Sequence, residues 1–478
     1  MVFNKKIIAV LLIVFLIVVL IQFNVTGWVT RTISSSQDNK ETMICNSKGN
    51  CWPGEGKYLQ EAVDDLGVQG GKVWLPEGTL NLDALDNESY PGSRKALLLK
   101  DNVFITGSGI GATILETTES DIYPIWSIGK QNITMSDFTL DMHSTGGNAI
   151  ILESSENVLL EKLQIRNPGA AGIRTSGNST RIILDRIHVD NVQLADRHAF
   201  SLFQVHNSIF NDLIATNVAQ GYGLDMAEAS NCTTSNVLIQ NASYGMKVVG
   251  TEWDTRNCNF NNINIINAFG NDCGMKIGNT WNSNFNNIHL IDSGWNGLAV
   301  LSTAEKLNFN NINIQETGNI GLSVNGNEIS IENTLVENAG SYGLKITGNN
   351  TIISNLKVDN PGNQNIIDGT SGTSIQDALF MGGGSYGLKI TNSEDFILSS
   401  SQVLGNTLDG LLISDDNGAC GNFIIRNNII KENNNGITIT SGGHEDFIIT
   451  KNILKDNTAQ DLSDSSGSVN KLVEDNLT

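Results

Sequence analysis

The feature that most constrains this chain is a phrase that keeps returning through its middle and C-terminal half: a small residue, nearly always glycine, then apolar, any, apolar. It reads GIRT from Gly172, AFSL from Ala199, GLDM from Gly223, GMKV from Gly245, GMKI from Gly274, GLAV from Gly297, GLSV from Gly321, GLKI from Gly343 and Gly387, GLLI from Gly410 and GITI from Gly436. Successive starts lie 22 to 29 residues apart, apart from one interval of 44, which is two periods. Such a period belongs to a stack of like units in which each repeat buries its apolar face against its neighbours.

The content of one period decides what is stacked. Short β-prone runs such as Ile182-Ile183-Leu184 and Ile187-His188-Val189 alternate with Asn, Gly, Asp and Ser, and no helix-length apolar stripe appears. The period also suits leucine-rich repeats, but a leucine consensus is missing. Phe260-Asn261-Asn262-Ile263, Phe285-Asn286-Asn287-Ile288 and Phe309-Asn310-Asn311-Ile312 recur instead. Side chains repeated at one-period spacing stack in columns, because parallel strands lie about 4.8 Å apart. Asn167, Asn191, Asn217, Asn241 and Asn267 form a second column, at turns that Asn tolerates. The fold class expected is all-β, a right-handed parallel β-helix of roughly fourteen coils, with one solenoid domain over 53–478.

Before that domain, residues 1–25 carry Lys5 and Lys6 and then an unbroken apolar run from Ile7 to Ile21. This reads as a signal peptide or an uncleaved membrane anchor, with the lysines inside and the rest of the chain outside. Residues 26–52 are polar and read as a linker. Export agrees with eight Asn-x-Ser/Thr sequons, although an Asn-rich repeat also produces these by chance. Among the six cysteines, Cys45 and Cys51 are neighbours in sequence, while Cys232 and Cys258 occupy equivalent points of adjacent coils. Each pair is a disulfide candidate, and the second reads equally well as two small buried hydrophobes. A net charge of −21 argues against nucleic acid or an anionic membrane surface as partner. The chain is expected to act as a monomer, with the N-terminal segment its only membrane contact.

From residue 57 to 67, Leu59, Ala62, Val63 and Leu66 have helical spacing, and a short helix can cover the raw strand edge at a solenoid's end. GGKVWLPEGTLNL from Gly70 and LLLKDNVFITGSGIGATIL from Leu97 follow. Helix and strands together resemble the N-terminal signature of the pectate lyase superfamily, in its rhamnogalacturonase and epimerase-like branch, closely over about residues 56–120. The resemblance implies a pectin-lyase-like β-helix with carbohydrate as ligand class. It does not choose among lyases, hydrolases, epimerases, tailspikes and non-catalytic surface proteins.

In each repeat phrase the two apolar residues face the core, so the residue between them faces out. That outward column reads Arg174, Ser201, Asp225, Lys247, Lys276, Ala299, Ser323 and Lys345. A carboxylate among cations suits a uronate sugar, whose carboxylate the cations offset while a base takes the neighbouring C–H proton. Lysine also recurs there at Lys345 and Lys389, which makes a solvated repeat position the plainer account of Lys247 and Lys276. Around Asp225, Tyr222-Gly223-Leu224-Asp225-Met226-Ala227 is similar to the Tyr-Gly-Phe-Asp-Pro-His motif of secreted mannuronan C5-epimerases. That resemblance implies proton-transfer roles for Tyr222 and Asp225. Ala227 stands where the motif has His, and His198, one coil earlier in register with Tyr222, is the replacement imidazole. Trp253 and Asp254 in the long turn 250–256, with Glu228, Lys276 and Trp281, are the candidate sugar-binding residues. Paired aspartates of the polygalacturonase kind are not found. No cofactor is called for; calcium, through Asp225, Glu228, Glu252 and Asp254, is the one metal the oxygen ligands would suit. The function expected is therefore an exported carbohydrate-active or carbohydrate-binding protein, with a polysaccharide lyase or uronate epimerase set against a non-catalytic adhesive surface protein.

Overall fold

A computed structural model describes residues 43–85, 94–119, 122–144, 147–194, 197–468 and 470–477. The apolar segment at 7–21 and the sequons at Asn24 and Asn87 lie outside them. Among the described residues no helix is long and apolar enough to cross a membrane.

The chain winds into a right-handed parallel β-solenoid of about sixteen turns, two more than the period suggested, with one short helix near its start. The helix Leu59–Asp65 buries Leu59, Ala62 and Val63 completely. It is flanked by single 3-10 turns at Gly56–Tyr58 and Gly67–Gln69, close to the bounds expected for the cap. The supposed linker ends earlier than residue 52. Strand Met43–Asn46 pairs antiparallel with Cys51–Pro53 and with Gly71–Trp74, and Cys45 is bonded to Cys51, so this hairpin belongs to the folded body. After it every strand pairing is parallel.

The repeat glycines owe their place to close approach. A Cβ on Gly223 would meet Cγ2 of Ile239 at 2.4 Å, and one on Gly321 would meet Cγ1 of Val336 at 2.2 Å. Here the core of the coil is too narrow for a side chain on both walls. The phenylalanine column forms as expected: Phe260, Phe285 and Phe309 are buried, with centroids 4.7 and 4.9 Å apart along the stack. The Asn column adopts φ of 52, 63, 56, 54 and 60° at Asn167, Asn191, Asn217, Asn241 and Asn267, the left-handed region in which Asn is tolerated. Asn267 donates to Asn241 at 2.9 Å and Asn191 to Asn167, whereas Asn217 turns to Asp190 at 2.8 Å.

The bridge between Cys232 and Cys258 is not made. Both are free and buried, Cys232 Sγ donating to the carbonyls of Val205 and Ser230 at 3.4 Å and Cys258 Sγ to that of Arg256 at 3.3 Å. The two thiols also hydrogen-bond to each other across adjacent rungs, without an S–S bond.

Candidate functional site

Register confirms the outward column. Trp126, Ile151, Arg174, Ser201, Asp225, Lys247, Lys276, Ala299, Ser323 and Lys345 lie opposite one another on successive rungs. The parallel ladder therefore sets Asp225, on strand Ile209–Ala227, directly against Lys247 on strand Thr233–Val249. Beyond Lys276 the column closes over, with Ala299 and Ser323 only 5% and 6% exposed.

Five of the candidate residues, Asp225, Lys247, His198, Tyr222 and Lys276, come together here. The Asp225 carboxylate receives Lys247 Nζ at 3.3 Å and His198 Nε2 at 3.3 Å, both on Oδ2. His198 precedes strand Phe200–Phe203 and lies one rung before Tyr222, whose backbone N–H donates to His198 Nδ1 at 3.1 Å. A neutral imidazole that accepts at Nδ1 carries its proton on Nε2. The backbone of one rung thus fixes which His198 nitrogen faces the carboxylate. Oδ1 of Asp225 is buried and has no hydrogen-bond partner among the described residues. An unsatisfied buried carboxylate oxygen is costly in a structure, and functional sites are where such a cost is kept.

Tyr222 is 8% exposed and lies between His198 and Tyr244, at ring centroid distances of 5.6 and 5.0 Å, with Lys247 Nζ 5.6 Å from its own centroid. Its hydroxyl donates to Oδ2 of Asp272. Burial and this bond to an anion push the phenol's pKa well above its ordinary value, so Tyr222 stays protonated. Asp272 is also held by Lys276 Nζ at 3.0 Å and by the backbone N–H of Cys273 at 3.0 Å. Burial pulls the Asp272 carboxyl upward, but the bonds from Tyr222 and Lys276 outweigh it and hold it below the usual range. Asp272 escaped the sequence reading because it lies in a turn, two residues ahead of the repeat glycine Gly274, outside the strand register; its spacing of four from Lys276 was the available signal.

The remaining candidates lie elsewhere. Arg174 sits two rungs from Asp225, about 10 Å away, and lines a separate 200 Å³ recess with Trp126, Glu153 and Tyr123. Glu228, Trp253 and Asp254 line another recess past the end of the Asp225 strand. Trp281 sits in strand Thr280–Ser293, paired with Arg256 of that second recess; Lys306 lies 4.8 Å from its ring. The oxygens suggested for calcium are divided between these places, and among the described residues no three His, Cys, Asp or Glu groups gather as metal ligands.

Comparison with known proteins agrees with the architecture. Residues 296–477 match the family described as right handed beta helix region. That match and the parallel solenoid fit a pectate lyase-like β-helix superfamily. Among characterised proteins the chain is similar to the mannuronan C5-epimerases AlgE3 and AlgE6 of Azotobacter vinelandii. It is 26% identical to AlgE3 over 219 residues, which are 41% of this chain and 10% of AlgE3. Against AlgE6 it is 24% identical over 204 residues, 40% of this chain and 21% of the relative. The chain thus spans between a tenth and about a fifth of these relatives. The solved A-module of AlgE6 aligns over 89% of this chain and 96% of the module at 16% identity, with a TM-score of 0.35.

Proposed function

We propose that the Asp225 cluster acts on a uronate-containing polysaccharide, removing the proton at C5 of a uronate ring and leading to epimerisation or β-elimination. The observation that carries this reading is the Asp225 carboxylate itself: one oxygen is held by His198 and Lys247, and the other is buried and unpartnered beside a phenol that stays protonated. The similarity to mannuronan C5-epimerases supports the substrate class.

In this reading the Asp225 carboxylate takes the C5 proton, and the C–H electron pair moves into the sugar carboxylate. Lys247 and Lys276 offset the charge that develops there. In epimerisation the pair returns to C5, which takes a proton from Tyr222 on the opposite face; the phenolate is reprotonated from solvent and Asp225 releases its proton. In elimination the pair forms the C4–C5 double bond, the C4–O4 bond breaks, and Tyr222 protonates the departing oxygen. His198, with Nδ1 already accepting from the backbone, serves as a positioning residue that aims Asp225. General acid and base groups placed in this way each contribute about 10²–10⁴-fold.

A second reading, hydrolysis of a glycosidic bond, is favoured by Asp272, which brings a second carboxylate into the cluster. One experiment separates the three. The chain from residue 43 is incubated with mannuronan, pectate and α-glucan; products are followed by NMR for inverted C5 centres, by the absorbance of unsaturated uronates and by release of reducing ends. Inversion or unsaturation that Asp225→Ala abolishes supports proton abstraction, and reducing ends without unsaturation support hydrolysis. Failure of all three would leave the adhesive reading. Export is part of the proposal, supported by the apolar run at 7–21 and by the Cys45–Cys51 bond, which persists in oxidising compartments. Periplasmic or surface labelling of a tagged chain tests it.

A further inference from the structure

The strand that carries Asp225 ends at Ala227, and at Glu228 the chain turns with φ of 56°. A second recess opens there, of 330 Å³. Glu228 is 2% exposed, yet its carboxylate faces no cation; Gln204 Nε2 donates to Oε2 at 3.0 Å, and the Glu252 backbone N–H, at 2.8 Å, and the Thr251 hydroxyl both donate to Oε1. These bonds tie the long turn down from beneath. On top of the turn Trp253 is left 69% exposed, an indole face presented at the recess with its backbone fixed. Arg256 and Asp254 line the same recess, both are exposed, and Arg256 is in no ion pair among the described residues. His206 closes the floor, its Nδ1 bonded to the Ser230 hydroxyl at 2.8 Å and its Nε2 to Asn178 Oδ1 at 3.3 Å.

An exposed indole beside a guanidinium and a carboxylate with free hydrogen-bonding capacity is the arrangement that grips a sugar ring: the C–H face lies on the indole, and adjacent hydroxyls take the polar groups. The charge of the recess narrows the class. Glu228 and Asp254 bring two negative charges against the single positive charge of Arg256, and burial together with that same Arg256 holds the His206 imidazole below its ordinary pKa, hence neutral. An added sugar carboxylate would meet net repulsion here, unlike at the Asp225 cluster, where Lys247 and Lys276 balance the carboxylates of Asp225 and Asp272.

We propose that this recess is a glycan-binding site distinct from the Asp225 cluster, that it takes a neutral pyranose residue, and that it holds a polysaccharide on the protein without taking part in the chemistry. Trp253 supplies the stacking face, while Arg256 and Asp254 bond neighbouring hydroxyls.

The test is calorimetric titration of the chain from residue 43 with three neutral hexasaccharides, β-1,4-linked mannose, β-1,4-linked glucose and α-1,3-linked glucose, and with the hexasaccharide of mannuronate. Wild type, Trp253→Ala, Arg256→Ala and Asp225→Ala are compared, with circular dichroism to confirm that each is folded. Because Trp253 is exposed, its replacement leaves the solenoid intact. The proposal expects at least one neutral hexasaccharide to bind, at least tenfold more weakly to Trp253→Ala and to Arg256→Ala, and unchanged to Asp225→Ala. Binding that ignores Trp253, binding by no neutral hexasaccharide, or Trp253-dependent binding of the mannuronate hexasaccharide alone would each overturn it. The Asp225→Ala arm keeps the result separate from the fate of the proton-abstraction reading, which can fail while this site binds.

Discussion

Replacing Tyr222 by Phe separates what the phenol does for the fold from what it does in the proposed chemistry. The substitution removes one oxygen and keeps the ring, so the contacts to His198 and Tyr244 at 5.6 and 5.0 Å survive. What is lost is one hydrogen bond to the ionised Asp272. Bonds to charged groups contribute about 1.5–3 kcal/mol. Asp272 keeps Lys276 and the Cys273 N–H, and its side chain is 24% exposed, so water reaches it. The lower part of that range, about 1.5–2 kcal/mol, is therefore expected. If Tyr222 is the acid, turnover falls instead by about 10²–10⁴-fold, equivalent to roughly 3–6 kcal/mol in the barrier at about 1.4 kcal/mol per decade. The pH dependence gives an arm that needs no substrate. Asp272 is depressed below its ordinary value partly by this bond, so it adds stability that is present above the unfolded pKa and is lost as pH falls through the folded one. Without the phenol the depression is smaller, so the loss of stability is present in full at neutral pH, and acid unfolding, followed by circular dichroism, should begin at higher pH. An unchanged acid limb would refute the Tyr222–Asp272 coupling. Turnover within threefold of wild type would refute the role of Tyr222 as acid.

Further outcomes follow from other parts of the molecule. Asp225→Asn keeps the shape but removes the base, and should abolish product formation with mannuronan while leaving thermal unfolding within a few degrees, as read by NMR and calorimetry. Phe285→Ala removes the middle ring of a buried stack and should cost about 3–5 kcal/mol, seen as a lower denaturant midpoint; a loss below about 1 kcal/mol would mean that the stack does not set the core. The four free thiols Cys232, Cys258, Cys273 and Cys420 are all buried, and burial pushes Cys273 up to about 12 and Cys420 up to about 11. Because all four are buried, iodoacetamide at pH 8 should label none of them in the native chain and all four in denaturant, by mass spectrometry; rapid native labelling would contradict their placement.

Much of the fold could be read from periodicity alone. In a parallel solenoid every strand repeats the environment of the one before it, so the Gly-apolar-x-apolar phrases report their own register, and the outward column from Arg174 to Lys345 follows without coordinates. The same regularity explains the legibility of the phenylalanine and asparagine columns. It fails where the chain leaves the repeat. Cys232 and Cys258 are stacked as the period requires, yet no S–S bond forms, because register brings two thiols side by side without setting the geometry that a disulfide needs. The hairpin at 43–53 pairs antiparallel and has no repeat to betray it.

The candidate site divides along the same line. The sequence by itself determined that Asp225, Lys247 and Lys276 share a face and that His198 lies beside Tyr222, since these are consequences of a fixed rung spacing. Only the tertiary structure decided that Asp272, fifty residues after Tyr222, receives its hydroxyl, that Arg174 stands apart, and that Trp253 and Glu228 belong to a second recess. The physical reason is that strands in a solenoid are held to one geometry by their ladder of backbone hydrogen bonds, whereas each turn takes its own length and path and can deliver its side chains to any neighbouring rung.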